Sequence, residues 1–294
     1  MFRLKGVIPP MITPFRKDGT LDKEELCRLV EYLDKRVDGL FICGSYGCGA
    51  MMSLEERKQV AEIVRAHTSA DTQVVVHTGT TTTRDTIELT KHAQSIGCDA
   101  AAAVGPFYFH YTDADLIGYY TDIIESCKDF PFYIYHNPKF QGYETSMNVI
   151  RTLKQRGLSG VKDATFNILS HAAYQRELAD ENFDIALGTE AMWVSAQILG
   201  CEAFIPGIGN VFPDLCEEMY KLTLEGKKDE AVRLQFKINE IREIMYIARS
   251  TQLAIYAIAD ILDIVKAYPR APFIPATAEE KGKIKDALKQ LQLA

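Results

Sequence analysis

The stretch Leu158-Ser159-Gly160-Val161-Lys162-Asp163-Ala164 is a compact apolar run that ends in a lysine and then passes into a polar segment. The run is too short for a helix and has the length of a buried strand. If it is an inner strand of a parallel barrel, Lys162 stands at its carboxyl end, where such folds keep their chemistry. A lysine held there among apolar neighbours can lose its proton and attack a ketone. A solvated strand-end lysine is the simpler interpretation, so the rest of the chain has to decide.

Short apolar runs alternate with amphipathic segments along most of the chain. The predicted strands are 6–12, 39–43, 73–77, 100–104, 132–135, 160–162, 184–187 and 203–205. The predicted helices between them are 22–35, 54–67, 84–96, 113–127, 146–155, 168–179, 190–199 and 213–224. Eight strand–helix units in succession predict a (β/α)8 TIM barrel rather than an open doubly wound sheet. An open nucleotide-binding sheet would carry G-x-G-x-x-G in its first turn, which here is Thr13-Pro14-Phe15-Arg16.

From residue 226 onward the pattern is purely helical. A 3-4-3-4 spacing of apolar residues predicts one buried stripe on the first of these helices. The stripe consists of Ala231, Leu234, Ile238, Ile241 and Met245. Two further helices are predicted over 253–265 and 278–291, separated by the prolines of 268–272. We therefore divide the chain into a catalytic barrel, residues 1–225, and a C-terminal helical extension, residues 226–294.

The composition limits the partners and the location that we expect. The formal net charge is −7 with acidic and basic residues interspersed, which disfavours nucleic acid and membrane surfaces as partners. The first residues, MFRLKGVIPP, lack the apolar core of a signal peptide, and we expect a cytoplasmic protein. Seven cysteines without a CxxC pair and six histidines without ligand spacing predict reduced thiols and no metal site.

Glycines and polar side chains follow several predicted strands. The second strand leads into Gly44-Ser45-Tyr46-Gly47, whose glycines let N–H groups and hydroxyls converge on a carboxylate. Tyr108 follows the fourth strand and Tyr135 ends the fifth, and a buried tyrosine beside a lysine can relay protons. Glu190 follows the seventh strand, either as a first-turn helix acid or as a hydrogen-bond partner for a polyol. On the residues alone, a plain glycine turn and space-filling tyrosines remain the simpler interpretation.

Together these motifs resemble the dihydrodipicolinate synthase / N-acetylneuraminate lyase family of pyruvate-dependent class I aldolases. The similarity covers nearly the whole chain, and its strength lies in the order of many short motifs. They are Gly6-Val7-Ile8-Pro9-Pro10 to Thr13-Pro14-Phe15, Asp38-Gly39-Leu40, Gly44 to Gly47, Ser53-Leu54-Glu55-Glu56-Arg57, Pro106-Phe107-Tyr108, Tyr135 followed by Pro138, Gly160-Val161-Lys162-Asp163 and Pro272-Phe273-Ile274-Pro275.

The resemblance implies roles for four side chains. Lys162 would form a Schiff base with pyruvate, and Tyr135 would shuttle protons. Ser45 and neighbouring backbone N–H groups would hold the pyruvate carboxylate. Tyr108 would reach into a neighbouring subunit's site within a homotetramer built as a dimer of tight dimers. No metal or organic cofactor is implied, because the iminium is itself the electron sink that makes the adjacent carbon a nucleophilic enamine.

The chain departs from the family pattern at three places. Tyr46 replaces the second threonine of the family's G-T-T-G-E motif and carries its hydroxyl on a much longer arm, which bears on a direct threonine-like proton relay. Phe140 stands where synthases that accept an aspartate-derived semialdehyde have an arginine, and the neighbouring Lys139 is not an equivalent carboxylate clamp. Glu190 is not followed by the second acid of sialic-acid lyases.

The sequence therefore predicts a class I lyase that cleaves or condenses pyruvate with an aldehyde through Lys162. Its expected substrate is a 2-keto-3-deoxy sugar acid or another 4-hydroxy-2-oxo acid. Two alternatives stay open, a 4-hydroxy-tetrahydrodipicolinate synthase with an atypical pocket and a non-catalytic keto-acid-binding sensor or scaffold. The catalytic candidates are Lys162, Tyr135, Tyr108 and Ser45. The substrate-binding candidates are Ser45, Tyr46, Gly44, Gly47, Phe140, Lys139, Gly188, Glu190, Ile205 and Asn210.

Overall fold

The computed structural model describes residues 2–294, and its central element is an eight-stranded parallel sheet. The strands are β1 (Gly6–Val7), β2 (Gly39–Ile42), β3 (Gln73–His77), β4 (Ala100–Val104), β5 (Phe132–His136), β6 (Gly160–Asp163), β7 (Asp184–Leu187) and β8 (Ala203–Phe204). Their order in the sheet is β1-β8-β7-β6-β5-β4-β3-β2. A parallel bridge between Pro10 and Phe41 brings the two edges together, so the sheet forms the predicted (β/α)8 barrel.

Helices connect the strands and complete the chain. They are α1 (Lys23–Asp34), α2 (Leu54–His67), α3 (Thr83–Ser95), α4 (Asp113–Ser126), α5 (Pro138–Gln141), α6 (Met147–Lys154), α7 (Ile168–Glu177), α8 (Trp193–Ile198), α9 (Pro213–Leu224), α10 (Lys228–Met245), α11 (Thr251–Ile261) and α12 (Ala278–Gln290). The short helix α5 was not predicted. Capping boxes begin α2 at Ser53 with Glu56 and α4 at Thr112 with Asp115, because these side chains satisfy free N–H groups of the first turn.

Several elements are shorter than predicted where the local backbone cannot continue them. Pro9 and Pro10 have no N–H to donate, and β1 stops before them. Cys43 has a φ of +56°, which ends β2 because an extended strand requires negative φ. Helix α8 begins at Trp193 rather than at Glu190. The prediction that Glu190 is a first-turn acid of this helix is therefore wrong.

The barrel interior has a buried acid at one end and the predicted lysine at the other. At the amino ends of the strands, Asp184 accepts hydrogen bonds from the Leu4 N–H at 2.9 Å and the Tyr133 hydroxyl at 3.2 Å. At the carboxyl ends, Tyr135 and Lys162 are direct partners in the register of β5 and β6. Partner residues of adjacent parallel strands point to the same face, so both side chains enter the barrel at its carboxyl end.

The C-terminal helices share a core with the barrel. The predicted apolar stripe of α10 is buried, as expected. Ile238 of α10 and Ile284 of α12 belong to the same buried cluster as Leu26 of α1 and Phe204 of β8. The boundary at residue 225 stays a prediction, since one continuous core crosses it. Over residues 2–294, no helix combines the length and the apolar character needed to cross a membrane.

Asp184 makes the stability of this fold depend on pH. Burial raises the pKa of its carboxyl group to about 7, compared with an ordinary value of about 3.9. The folded state favours the protonated form of Asp184. Its contribution to the free energy of unfolding is therefore fully present below about pH 4 and is lost as the pH rises through about 7. We expect Asp184→Asn, which cannot ionise, to gain thermal stability relative to the parent protein between about pH 5 and about pH 8.5. A Tm difference that stays constant across this range would contradict the assignment.

Candidate active site

The Lys162 amine is enclosed by aromatic rings. The residue is only 3% exposed, and its Nζ lies 3.4 Å from the ring centroid of Phe41 and 3.9 Å from that of Tyr135. Burial lowers the pKa of Lys162 well below its ordinary value, and no charged group of the described chain adds to the shift. Ring faces attract an ammonium by about 0.5–2 kcal/mol, less than the several kcal/mol that desolvation of a buried ion costs. The neutral, nucleophilic amine is therefore favoured.

Gly44 allows the Phe41 ring to reach this position. A Cβ atom at Gly44 would lie 2.7 Å from Cε1 of Phe41, closer than two carbon atoms approach each other. Gly47 has a different environment, because its carbonyl accepts a hydrogen bond of 2.7 Å from the Thr13 hydroxyl. Both glycines thus shape the loop after β2. A direct contact of either glycine with substrate stays a prediction.

Tyr135 is connected to two polar side chains. Its hydroxyl lies 3.2 Å from Oγ of Ser45 and accepts a hydrogen bond of 3.2 Å from Nδ2 of Asn137. Burial raises the pKa of Tyr135, and the bonds to Ser45 and Asn137 partly oppose the rise. The phenol is therefore protonated at rest and has a neighbouring hydroxyl with which to exchange a proton. Asn137 was not predicted, although its place directly after β5 was the available signal.

The loop after β2 also presents backbone donors. Hydrogen bonds from the Cys48 N–H to the Ser45 carbonyl and from the Gly49 N–H to the Gly44 carbonyl, at 3.2 and 3.0 Å, hold its shape. Within the described chain, the N–H groups of Ser45 and Tyr46 donate to no backbone acceptor. Two adjacent free N–H groups beside a serine hydroxyl can bind a carboxylate.

A cavity of about 320 Å³ has Lys162 in its wall. The predicted site residues that line it are Ser45, Tyr46, Tyr135, Lys139, Phe140, Lys162, Gly188, Glu190 and Ile205. Gly44 lines an adjoining cavity of about 250 Å³, which is mainly apolar and shares Ser45, Tyr135 and Phe140 with the first. Gly47, Tyr108 and Asn210 line neither of these cavities. In the part of the chain that the structure describes, no three or more His, Cys, Asp or Glu side chains are grouped as metal ligands would be.

Asn210 uses its amide within the protein. Its Oδ1 accepts from the Ile12 N–H at 2.9 Å, and its Nδ2 donates to the carbonyls of Pro10 and Gly207 at 3.1 and 2.9 Å. The side chain therefore fastens the segment after β1 to the turn after β8. Its predicted contact with substrate gains no support from this position.

Tyr108 points away from the cavities of its own chain. Its side chain is 87% exposed, and its backbone has a φ of +85°, which is uncommon for a residue with a side chain. The ring packs edge-on against Phe109, with centroids 5.0 Å apart. A tyrosine displayed in this way is available to another molecule rather than to the Lys162 of the same chain.

Glu190 is buried and paired. Its Oε2 accepts a hydrogen bond of 2.8 Å from the Gly207 N–H, and its Oε1 forms an ion pair with Arg242 of α10. The backbone of Glu190 is held as well, since Nε2 of Gln235 donates to the Glu190 carbonyl at 2.9 Å. Both carboxylate oxygens are thus engaged inside the protein. At this wall the cavity meets a guanidinium group rather than a free carboxylate.

Sequence reasoning missed Arg242 and Gln235, although α10 carries a signal for both. Gln235, Asn239, Arg242 and Tyr246 follow 4-3-4 spacing, which places them on one face of a helix. This polar stripe runs beside the apolar stripe that was recognised. A second face of polar residues beside the buried apolar stripe was the available signal for these two residues.

The buried guanidinium of Arg57 holds the carboxyl end of strand β3. Arg57, 3% exposed, donates to the carbonyls of His77 and Gly79 at 2.6 and 3.1 Å. The His77 ring accepts from the Val104 N–H at 3.1 Å and lies edge-on to the Tyr135 ring. Burial, followed by the charges of Arg57 and Lys162, lowers the pKa of His77 well below its ordinary value. His77 is therefore a neutral part of the wall next to Tyr135.

Residues 3–291 match the model of the dihydrodipicolinate synthetase family. The chain belongs to this family. It is 31% identical over 293 residues to the 4-hydroxy-tetrahydrodipicolinate synthase of Methanothrix thermoacetophila, covering 99% of this chain and 97% of that protein. It is 28% identical over 294 residues to the N-acetylneuraminate lyase of Enterobacter sp. strain 638, covering 99% and 98%.

A solved structure supports the same assignment. YagE, a prophage protein of the dihydrodipicolinic acid synthase family from Escherichia coli K12, was crystallised in complex with pyruvate. It is similar to this chain with a TM-score of 0.93 at 27% identity, covering 99% of each chain. The resemblance inferred from the motifs and the TIM-barrel fold are both confirmed. As a member of the dihydrodipicolinate synthetase family, the chain is an enzyme of the lyase class, a class I aldolase.

Proposed function

We propose that this family member joins pyruvate to an aldehyde, or releases it from the adduct, through a Schiff base on Lys162. The observation that carries the proposal is the burial of the Lys162 amine between the rings of Phe41 and Tyr135, which lowers its pKa. Nζ attacks the ketone carbon, the ketone oxygen leaves as water, and a methyl proton is lost to give the enamine. Tyr135 and Ser45 move the protons. The complex of YagE with pyruvate supports pyruvate as one substrate.

In this proposal the pyruvate carboxylate binds to the loop after β2, apart from the ketone carbon that Lys162 attacks. The N–H groups of Ser45 and Tyr46 and the Ser45 hydroxyl bind it in this proposal. Because the iminium formed with Lys162 accepts the electrons of the broken bond, the reaction needs no organic cofactor and no metal.

The charge of the cavity lining favours an acidic aldehyde fragment. The lining contains three cationic side chains besides Lys162, namely Lys139, Arg242 and Arg249, and its one carboxylate, Glu190, is already paired. We infer that the substrate is a 4-hydroxy-2-oxo acid with a negative group at the end remote from the pyruvate part. Among 2-keto-3-deoxy sugar acids this favours those with a second carboxylate or a phosphate at that end, because the simple acids release a neutral aldehyde. A guanidinium suits such a group because its N–H donors match carboxylate geometry.

A second candidate is 4-hydroxy-tetrahydrodipicolinate synthase. The relative that is 31% identical carries this name. Phe140 deprives the pocket of the family's arginine clamp, but Arg242 lines the same cavity and can meet the carboxylate of an aspartate-derived semialdehyde. The two candidates differ in the aldehyde, so a comparison of acceptors separates them. If aspartate semialdehyde is the best acceptor, the synthase is correct and the inference from Phe140 is wrong.

We also propose a cytoplasmic homotetramer built as a dimer of tight dimers, in which Tyr108 completes the site of a neighbouring subunit. Its 87% exposure and its outward position support this role. A phenol supplied by the neighbour would extend the proton path that begins at Tyr135 and Ser45.

The Schiff base can be trapped. Reduction with borohydride in the presence of pyruvate should add a reduced pyruvyl group to Lys162, detected by peptide mass spectrometry. Lys162→Ala should lose the adduct completely while remaining folded, because it removes the only group that attacks the ketone. Lys139→Ala is the matched control, since it removes the other lysine of the cavity and should keep the adduct. Absence of an adduct on the parent protein, under conditions that trap YagE, would refute the proposal.

An acidic acceptor should depend on Arg242. Glu190→Gln first removes the buried charge, so that Arg242→Met in the same background leaves no unpaired carboxylate. A charge-assisted hydrogen bond contributes about 1.5–3 kcal/mol. We therefore expect kcat/KM with glyoxylate to fall about ten- to a hundredfold relative to Glu190→Gln alone. The neutral acceptor glyceraldehyde should be affected less, and equal losses for both acceptors would count against an anion site.

Tyr108 should act between subunits. Tyr108→Phe removes the hydroxyl but keeps the ring, so it should lower kcat about a hundredfold without changing the assembly mass measured by light scattering. Subunits with Tyr108→Phe, about a hundredfold slower than the parent, and inactive subunits with Lys162→Ala should give more activity when they are dissociated and reassembled together than either variant gives alone. In the hybrid, an intact Lys162 meets an intact Tyr108 from the neighbour. No recovery in hybrids of confirmed composition would show that Tyr108 is not shared.

A further inference from the structure

Tyr46 connects the loop after β2 to the C-terminal extension. Its hydroxyl donates a hydrogen bond of 2.7 Å to Oγ1 of Thr251, and its carbonyl accepts one of 3.3 Å from Nε2 of Gln252. Both partners lie in the first turn of α11. The phenol ring therefore extends from the loop that carries Ser45 to the helix on the other side of the cavity.

The ring also fills the space beside the turn after β8. A Cβ atom at Gly207 would lie 2.3 Å from the Tyr46 hydroxyl oxygen and 2.6 Å from its Cζ. No side chain at position 207 is compatible with this ring position. The Gly207 N–H is held by Glu190, which in turn is held by Arg242. The wall behind Tyr46 is thus fixed from both sides, and the ring has no alternative space in that direction.

The hydroxyl of Tyr46 is hydrogen-bonded to Thr251 and not to Lys162 or Tyr135. The hydroxyl that meets Tyr135 is that of Ser45, at 3.2 Å, whereas Tyr46 is bonded to Thr251. Burial and the charge of Glu190 raise the pKa of Tyr46, so its proton stays on the phenol and is donated to Thr251. Tyr46 therefore contributes its ring to the cavity, and its hydroxyl keeps the ring in place.

We propose that Tyr46 is a specificity-determining residue that limits the length of the aldehyde fragment. Its ring lines the cavity beside Gly207 and Thr251, and Arg242 lines the same cavity. A short fragment reaches the guanidinium with its acidic end, while a longer one meets the ring. This inference rests on the proposed function, because only a pyruvate aldolase has an acceptor to select.

The mechanism of selection is steric. The enamine carbon of pyruvate forms a bond to the aldehyde carbon, and the aldehyde oxygen takes up a proton, whichever acceptor is used. Only the space for the remainder of the acceptor differs. A single methylene in a closed pocket changes discrimination about 10–200-fold, so replacement of the ring by a small side chain has a measurable effect on the choice of acceptor.

The test compares carboxy-aldehydes of increasing length. Condensation of pyruvate with glyoxylate, succinic semialdehyde and adipic semialdehyde is followed in the parent protein and in Tyr46→Thr. The kcat/KM ratio of adipic semialdehyde to glyoxylate should rise at least about tenfold in the variant. Tyr46→Phe keeps the ring and should leave this ratio close to that of the parent. Tyr46→Leu, which retains more apolar volume, replaces Tyr46→Thr if the latter does not fold.

Two outcomes would overturn the proposal. The first is an unchanged ratio in a variant that melts cooperatively and still traps pyruvate at Lys162, since Tyr46 would then act on stability alone. The second is an equal rise of the ratio in Tyr46→Phe and Tyr46→Thr, since the hydroxyl and not the ring would then be responsible. Failure of the parent protein to trap pyruvate is a separate result, because it contradicts the proposed function whatever the Tyr46 variants do.

Discussion

Lys162 can act as a nucleophile only because its amine is kept away from water and from negative charge. Desolvation disfavours the ammonium form by several kcal/mol, and the attraction of the two ring faces, about 0.5–2 kcal/mol, does not offset it. The arrangement requires that Tyr135 be the register partner of Lys162 and that Phe41 enter from β2. It also requires a glycine at position 44, where a Cβ atom would collide with the Phe41 ring. The closed barrel is thus a condition of the lysine's chemistry as well as its scaffold.

The need to keep negative charge away from Lys162 also explains why Glu190, the acid in the cavity wall, is paired. A free carboxylate near Lys162 would stabilise the ammonium and raise its pKa. Glu190 lines the cavity, but one of its carboxylate oxygens accepts a hydrogen bond from the Gly207 N–H and the other forms an ion pair with Arg242. The shift of Lys162 accordingly contains no contribution from a charged group of the described chain. The ion pair therefore neutralises the acid and places a cation where the aldehyde fragment is expected.

The site residues that could be predicted from the sequence are those whose position follows from the order of strands and helices along the chain. Lys162 and Tyr135 lie near the carboxyl ends of β6 and β5, and Ser45 lies in the loop that follows β2. The barrel topology brings these strand ends together. Arg242 was not found because its contact with Glu190 spans 52 positions and depends on how α10 packs. The orientation of the Tyr46 side chain could not be predicted from the sequence either, since its hydroxyl is held by Thr251, far along the chain. Strand and helix boundaries moved where proline or a positive φ intervened, as at Pro10 and Cys43.

These differences divide the site into two parts with different origins. In the proposed reaction, Lys162 and Tyr135 on the barrel strands and Ser45 in the loop after β2 handle pyruvate, and sheet register fixes the relative position of the first two. The extension supplies Arg242 and the anchors of Tyr46, which line the same cavity and in this proposal face the aldehyde. Because the Lys162 amine is enclosed by Phe41 and Tyr135 of the barrel rather than by α10 or α11, substitutions in these helices can alter the acceptor while Lys162 keeps its environment. Relatives that align with this chain over nearly their full length, yet are named as a synthase and as a lyase, are what such an arrangement permits.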